Sequence, residues 1–218
     1  MKLLNTIEIE PLDYTENEYE FPNTSKEKNA KAWSDFWYKC VSDSNLESLK
    51  PIELGSYLID IKNISDSELK TILQKELKGK DLSNAEEYVE PLFGGIVITE
   101  NDKIIIEPTC CGDIANLNHW EKIEKFELNK WEQLWIGHPW VYCKKTNESI
   151  ILSDYTEVNL GDYKELSEKY NFSRQELNSQ IKSSRKDINA FEKQIRKVLV
   201  ELEIENANKI SKLLIGNK

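Results

Sequence analysis

The segment Phe93-Gly94-Gly95-Ile96-Val97-Ile98, the polar turn Thr99-Glu100-Asn101-Asp102 and the return run Lys103-Ile104-Ile105-Ile106-Glu107 constrain this chain most. Two β-branched runs around a short polar turn predict a β-hairpin, and Pro108 stops the second strand. Alternation is missing from both runs. Continuous apolar residues predict strands covered on both faces, so the hairpin needs other elements packed over it. A solitary hairpin of this kind would not persist in water.

Helical and further strand signals supply that cover. Ser25 is a candidate cap for a helix from Lys26 to about Ser44, with Trp33, Phe36, Trp37 and Cys40 at i, i+3, i+4 and i+7 on one apolar stripe. Ser65 with Glu68 three residues later reads as a capping box opening a second helix. Leu69, Ile72, Leu73 and Leu77 give that helix a buried face, and Gly79 ends it. Thr6–Glu10 alternates up to Pro11 and predicts a short strand, followed by an acidic, aromatic surface loop over residues 11–25. Leu54–Ile61 fits either a strand or a buried turn. Trp140–Cys143 and Ser149–Leu152 predict two more strands, with one amphipathic helix over Asp113–Asn129 before them. From Asp162 onward the apolar spacing is helical, with breaks expected near Asn171 and Ser183. The reading is an α+β chain: N-terminal helices packed on a mainly antiparallel sheet over residues 93–156, with a C-terminal helical extension. The expected division is an α+β domain at residues 1–160 and the extension at 161–218.

Charge excludes some partners. The 218 residues hold 29 Lys plus Arg and 39 Asp plus Glu, a net charge of −10. Such a surface repels nucleic acid and anionic lipid as a whole. No run approaches the roughly 20 apolar residues of a membrane span, and the first residues lack the apolar core of a secretory signal. The four cysteines, Cys40, Cys110, Cys111 and Cys143, include a vicinal pair. A bridge between neighbours is strained, so they read as thiols in a reducing cytoplasm. Gly-x4-Gly-Lys-Ser/Thr and Gly-x-Gly-x-x-Gly are both absent, which leaves nucleotide-binding readings without support.

Chemistry concentrates between Pro108 and Trp140, where four of the six Trp and both His fall. Three readings compete. A metal site would draw on Cys110, Cys111, His119, His138 and Cys143, but the spacing is not that of zinc ligands, and no metal or cofactor is assigned. A cysteine enzyme would use Cys110 or Cys111, activated by His119 or His138 and oriented by Asp113. A partner-binding face would use Asp113, Trp120, Trp131, Trp135, His138, Trp140 and Asp154. Asp102, Glu107 and Glu157 would add negative potential around it and steer a basic protein partner. The residue types favour this third, non-catalytic reading.

A helical N-terminal part, then Phe93-Gly94-Gly95-Ile96-Val97-Ile98, then strands ending near Ser153-Asp154-Tyr155, resembles the SUKH superfamily of bacterial toxin-immunity proteins over about residues 30–157. The resemblance implies an α+β cytoplasmic protein that neutralises a cognate toxin by binding it, without catalysis. It carries over no individual functional residue.

The charge is uneven. Tyr163–Lys218 has 12 Lys plus Arg against 8 Asp plus Glu, or +4, which leaves −14 for the rest. Residues 163–183 fit a helix-turn-helix: a helix ending at Asn171, then a second capped by Ser173. Arg174, Gln175, Asn178 and Lys182 would then face DNA. Duplex binding and cysteine chemistry therefore stand as alternatives to protein binding.

Overall fold

The computed structural model describes residues 1–101, 103–162 and 166–217; Asp102 of the expected acidic fringe and residues 163–165 of the expected helix-turn-helix lie outside them. The fold is α+β, with two antiparallel four-stranded sheets. The strands are β1 (Lys2–Glu8), β2 (Leu58–Asp60), β3 (Gly94–Glu100), β4 (Lys103–Ile106), β5 (Trp131–Leu134), β6 (Val141–Lys145), β7 (Ser149–Leu152) and β8 (Tyr170–Ser173). The helices are α1 (Pro11–Tyr14), α2 (Ala30–Ser42), α3 (Asp66–Glu76), α4 (Ala85–Tyr88), α5 (Leu117–Lys122), α6 (Arg174–Glu201) and α7 (Ala207–Leu214). The sheets run β2-β1-β3-β4 and β5-β6-β7-β8. Among the described residues no helix is long and apolar enough to cross a membrane.

The chain groups into two compact units, whose limits differ from a cut at residue 160. One unit holds residues 1–5 and 93–188, the other residues 6–92 and 189–218. In the second, α2 buries Phe36, Trp37, Cys40 and Val41, and the Trp37 indole donates to the carbonyl of Ile9 at 2.8 Å. Its N-cap is Asn29, four residues beyond the expected Ser25, and the Asn29 side chain accepts from the amide of Ala32. The expected surface loop at 11–25 includes α1, whose Tyr14 is buried. The capping box of α3 forms as read: Ser65 accepts from Glu68 and the Glu68 carboxylate accepts from the Ser65 amide at 2.7 Å. The last part of α6 docks on this unit through Gln194, which donates to Ile64 and Asp66, and through the Lys197–Asp66 ion pair at 2.6 Å.

In the first unit the expected hairpin is β3–β4, with Ile98 opposite Ile106 and a bulge before Thr99. Ile96, Val97 and Ile98 of β3 are all buried, as its unbroken apolar run requires, but β4 is covered only in part: Ile106 is buried while Ile104 and Ile105 are half-buried. β6 and β7 also form as read. They belong to a second sheet, so residues 93–156 hold parts of two sheets where one was expected. The expected helix over 113–129 is shorter: a 3-10 turn at 114–116, α5, and a second 3-10 turn at 123–125. Asp113 still caps its start, accepting from the amide of Ala115 at 2.7 Å.

The helix-turn-helix geometry is overturned at its first helix. Tyr170–Ser173 is extended and pairs with β7, setting Phe172 opposite Ile150 and burying it. A strand places Phe172 on the buried face where a helix would end. Ser173 does cap the next helix, accepting from the amide of Glu176 at 3.4 Å. That helix, α6, runs on through Ser183, where a break was expected.

Candidate functional site

The site lies in the first unit, where two irregular segments interlock. Thr109–Gly112 forms a tight turn closed by the Gly112 amide donating to the Thr109 carbonyl at 2.8 Å. Ile136–Trp140 runs beside it. The Thr109 amide donates to Ile136 at 3.1 Å, the His138 amide to Cys110 at 2.8 Å, and the Thr109 hydroxyl to the Pro139 carbonyl at 2.7 Å. These bonds leave no room for a side chain at Gly137, where a Cβ would meet the Thr109 carbonyl oxygen at 2.5 Å. Trp140 is fixed on its other side by two backbone bonds with Thr156, at 3.0 and 2.8 Å.

This scaffold gathers part of the expected face. Trp135 and Trp140, five residues apart in sequence, stack with ring centroids 6.2 Å apart. His138 meets Trp140 edge-on at 5.3 Å and is exposed, with Nδ1 3.9 Å from the Glu157 carboxylate. Both indoles are half-buried. Among the described residues the buried Trp140 indole nitrogen finds no hydrogen-bond partner, a costly condition for a donor.

Other expected residues sit elsewhere. Trp120 is fully buried on α5 between Leu117 and Ile123 in sequence, so it is a core side chain and cannot meet a partner. Trp131 lies on β5, opposite Lys144, whose ammonium stands 5.0 Å from its ring. Asp113 serves as a cap, and Asp154 is paired with Lys169 at 3.2 Å. β5 itself was missed; Asn129-Lys130-Trp131-Glu132-Gln133 is too polar to signal a strand. Thr109, which ties the two segments, carries no signal beyond its place after Pro108.

The cysteines divide by exposure. Cys40 and Cys143 are buried, and burial pushes the Cys143 thiol up to about 12. Cys110 and Cys111 are exposed, their sulfurs 3.5 Å apart. Among the described residues, the side-chain hydrogen bond either of these thiols makes is to the other. Among the described residues neither imidazole makes a hydrogen bond to these thiols. The Cys111 thiol is raised by its hydrogen bond to Cys110 and by the charge there, the opposite of an activated nucleophile. His119 is lowered by burial and by Lys122. Among the described residues no three His, Cys, Asp or Glu side chains converge to hold a metal ion.

Two of the four residues proposed to face DNA, Arg174 and Asn178, are engaged within this unit. Arg174 grips Glu124 through two guanidinium nitrogens, and Asn178 donates to the same carboxylate. These bonds hold the Glu124 carboxyl down at about 2, the Arg174 bond contributing most. No family model, curated protein or solved structure matches the chain.

Proposed function

We propose that the chain is a non-catalytic cytoplasmic protein that binds a basic protein partner through Trp135, His138 and Trp140. The single observation behind this reading is the stacked, half-buried Trp135–Trp140 pair, held in place before any partner arrives. Aromatic side chains that are large, partly exposed and fixed lose little entropy on binding, and such residues dominate interface energies. Glu157 beside His138 and the net charge of −10 supply attraction for a basic surface. A toxin-immunity role, in which the partner is a toxin blocked by occlusion, is the specific form that the SUKH resemblance suggests.

The test is co-expression with each protein encoded beside the gene, followed by calorimetric titration at low and high salt. We expect a basic partner bound one to one, more weakly at high salt. Trp135→Ala and Trp140→Ala should each weaken it by roughly 30-fold or more, the loss typical of an interface anchor. A basic partner that both variants bind as tightly as the native chain refutes the proposed face. The absence of any binder among the neighbouring products removes the immunity reading.

A further inference from the structure

The exposed vicinal thiols suggest a chemistry independent of the partner reading. Cys110 and Cys111 occupy the two central positions of the Thr109–Gly112 turn. Cys111 has a φ of +64°, a left-handed conformation in which Gly or Asn is the usual occupant. A cysteine is held there nonetheless, and it brings its sulfur to 3.5 Å from that of Cys110. The backbone around the pair is pinned by the Cys110–His138 bridge and by Gly112, whose Cβ position is closed off by the Ile136 carbonyl at 2.7 Å. Two thiols thus stand side by side on a firm base, open to solvent.

We infer that Cys110 and Cys111 form a dithiol site for a trivalent, monosubstituted arsenical or a like thiophilic centre that accepts two sulfurs from one face. Coordination number decides the ligand class. A structural zinc ion takes four protein ligands, and here two thiols converge without a third donor among the described residues. Trivalent arsenic bearing one organic group needs two further bonds, which the pair supplies. Soft thiolate sulfur matches it. In the reaction R–As=O plus two Cys–SH gives R–As(S–Cys)2 plus water. The two S–H bonds and the As=O bond are lost, two As–S bonds form, and both protons leave with the oxygen. Arsenic stays trivalent and nothing is oxidised. A raised thiol is no obstacle, because the step consumes thiols.

The experiment uses the full chain and phenylarsine oxide, read by intact-protein mass spectrometry. We expect one adduct per chain, heavier by one arsenical less one water. It should withstand excess 2-mercaptoethanol and be stripped by 2,3-dimercaptopropanol. Closing a second bond within one turn raises avidity by roughly 10²–10⁴-fold, so Cys110→Ser and Cys111→Gly should each lower retention by that factor. Glycine suits the φ of Cys111, which keeps the second variant folded. An adduct that 2-mercaptoethanol strips from the native chain as readily as from either variant overturns the inference. So does one that persists in the double variant, which would place it on Cys40 or Cys143.

Discussion

Gly137→Ala tests whether the aromatic face depends on the interlock between Thr109–Gly112 and Ile136–Trp140. Gly137 has a φ of +118°, open to glycine and strained for any side chain. An added Cβ would also lie 2.5 Å from the Thr109 carbonyl oxygen, 2.6 Å from its Oγ1 and 2.7 Å from its carbonyl carbon. Backbone cannot swing aside as a lysine tip can. The dihedral alone costs about 1–3 kcal/mol, and the overlap cannot be relieved while the segment keeps its shape. When it parts, three bonds are at stake: Thr109 to Ile136, His138 to Cys110, and the Thr109 hydroxyl to Pro139. At about 1 kcal/mol net for each bond lost, we expect a loss of about 2–4 kcal/mol in urea unfolding at pH 7. Gly79→Ala is the control. Gly79 also has a positive φ, +75°, but nothing lies within 4 Å of its Cβ position, so the variant isolates the dihedral cost at about 1 kcal/mol. The near-ultraviolet circular dichroism of Gly137→Ala should change as Trp135 and Trp140 separate, while Gly79→Ala should leave it unchanged. If Gly137→Ala costs no more than Gly79→Ala and keeps the native aromatic signal, the interlock does not hold the face.

Glu124→Gln removes the carboxylate that Arg174 and Asn178 share. The fall from the usual 4.5 to about 2 would correspond to about 3 kcal/mol in an unscreened pair, but Glu124 is 39% exposed and screening reduces this to about 1 kcal/mol. A depressed carboxyl stabilises above its unfolded value and loses that contribution as the pH falls from 4.5 toward 2. Urea unfolding should therefore show a gap between native and variant at pH 7 that narrows at pH 3; an equal gap at both pH values refutes the assignment. Trp120→Ala should cost about 3–5 kcal/mol by thermal or urea unfolding, as a large core deletion does, whereas a contact residue would cost little stability. Ser65→Ala should cost about 1 kcal/mol by loss of the cap, and Ser65→Asp should recover most of it in the same assay.

What was legible in the sequence was local. The Ser65–Glu68 box spans three residues and needs nothing beyond them, so its pattern and its geometry coincide. The β3–β4 hairpin closes through its own turn, and the unbroken Ile and Val run of β3 is buried on both faces, whereas the Ile run of β4 is not, since Ile104 and Ile105 are only half-buried. β5 and β8 owe their existence to distant partners. Phe172 becomes a strand residue because Ile150 lies opposite it, 22 positions away in sequence, and local propensity yields to that pairing. The face itself was half legible. Tryptophan type marks a residue that packs and hydrogen-bonds, but not on which side of the surface it will do so. For Trp120 the spacing with Leu117 and Ile123 held the answer, since three positions apart on helical turns share one face. For Trp135 and Trp140 no spacing rule applied, because the turn at Gly137 folds the chain back on itself.

The uneven charge of the chain takes on a different meaning once its partners are known. The +4 of residues 163–218 suggested a basic surface left available for phosphate. Several of those cations are instead committed within their own unit. Arg174 holds Glu124, and Arg185 makes a two-pronged contact with Glu121 and a third bond to Asn118. In the other unit Lys197 holds Asp66 and Lys209 holds Glu86 at 2.9 Å. Their side chains are not equally enclosed: those of Arg174 and Arg185 are 29% and 23% exposed, while the lysines stay largely open. A duplex phosphate would have to displace a carboxylate that already matches the guanidinium fork, and gains little by the exchange. These pairings leave fewer cations open for phosphate than the +4 implies, which agrees with the proposed preference for a basic protein over DNA. That preference has a measurable consequence: added salt should weaken the complex with a basic partner, while the chain alone should leave duplex DNA unretarded in a gel even at low salt.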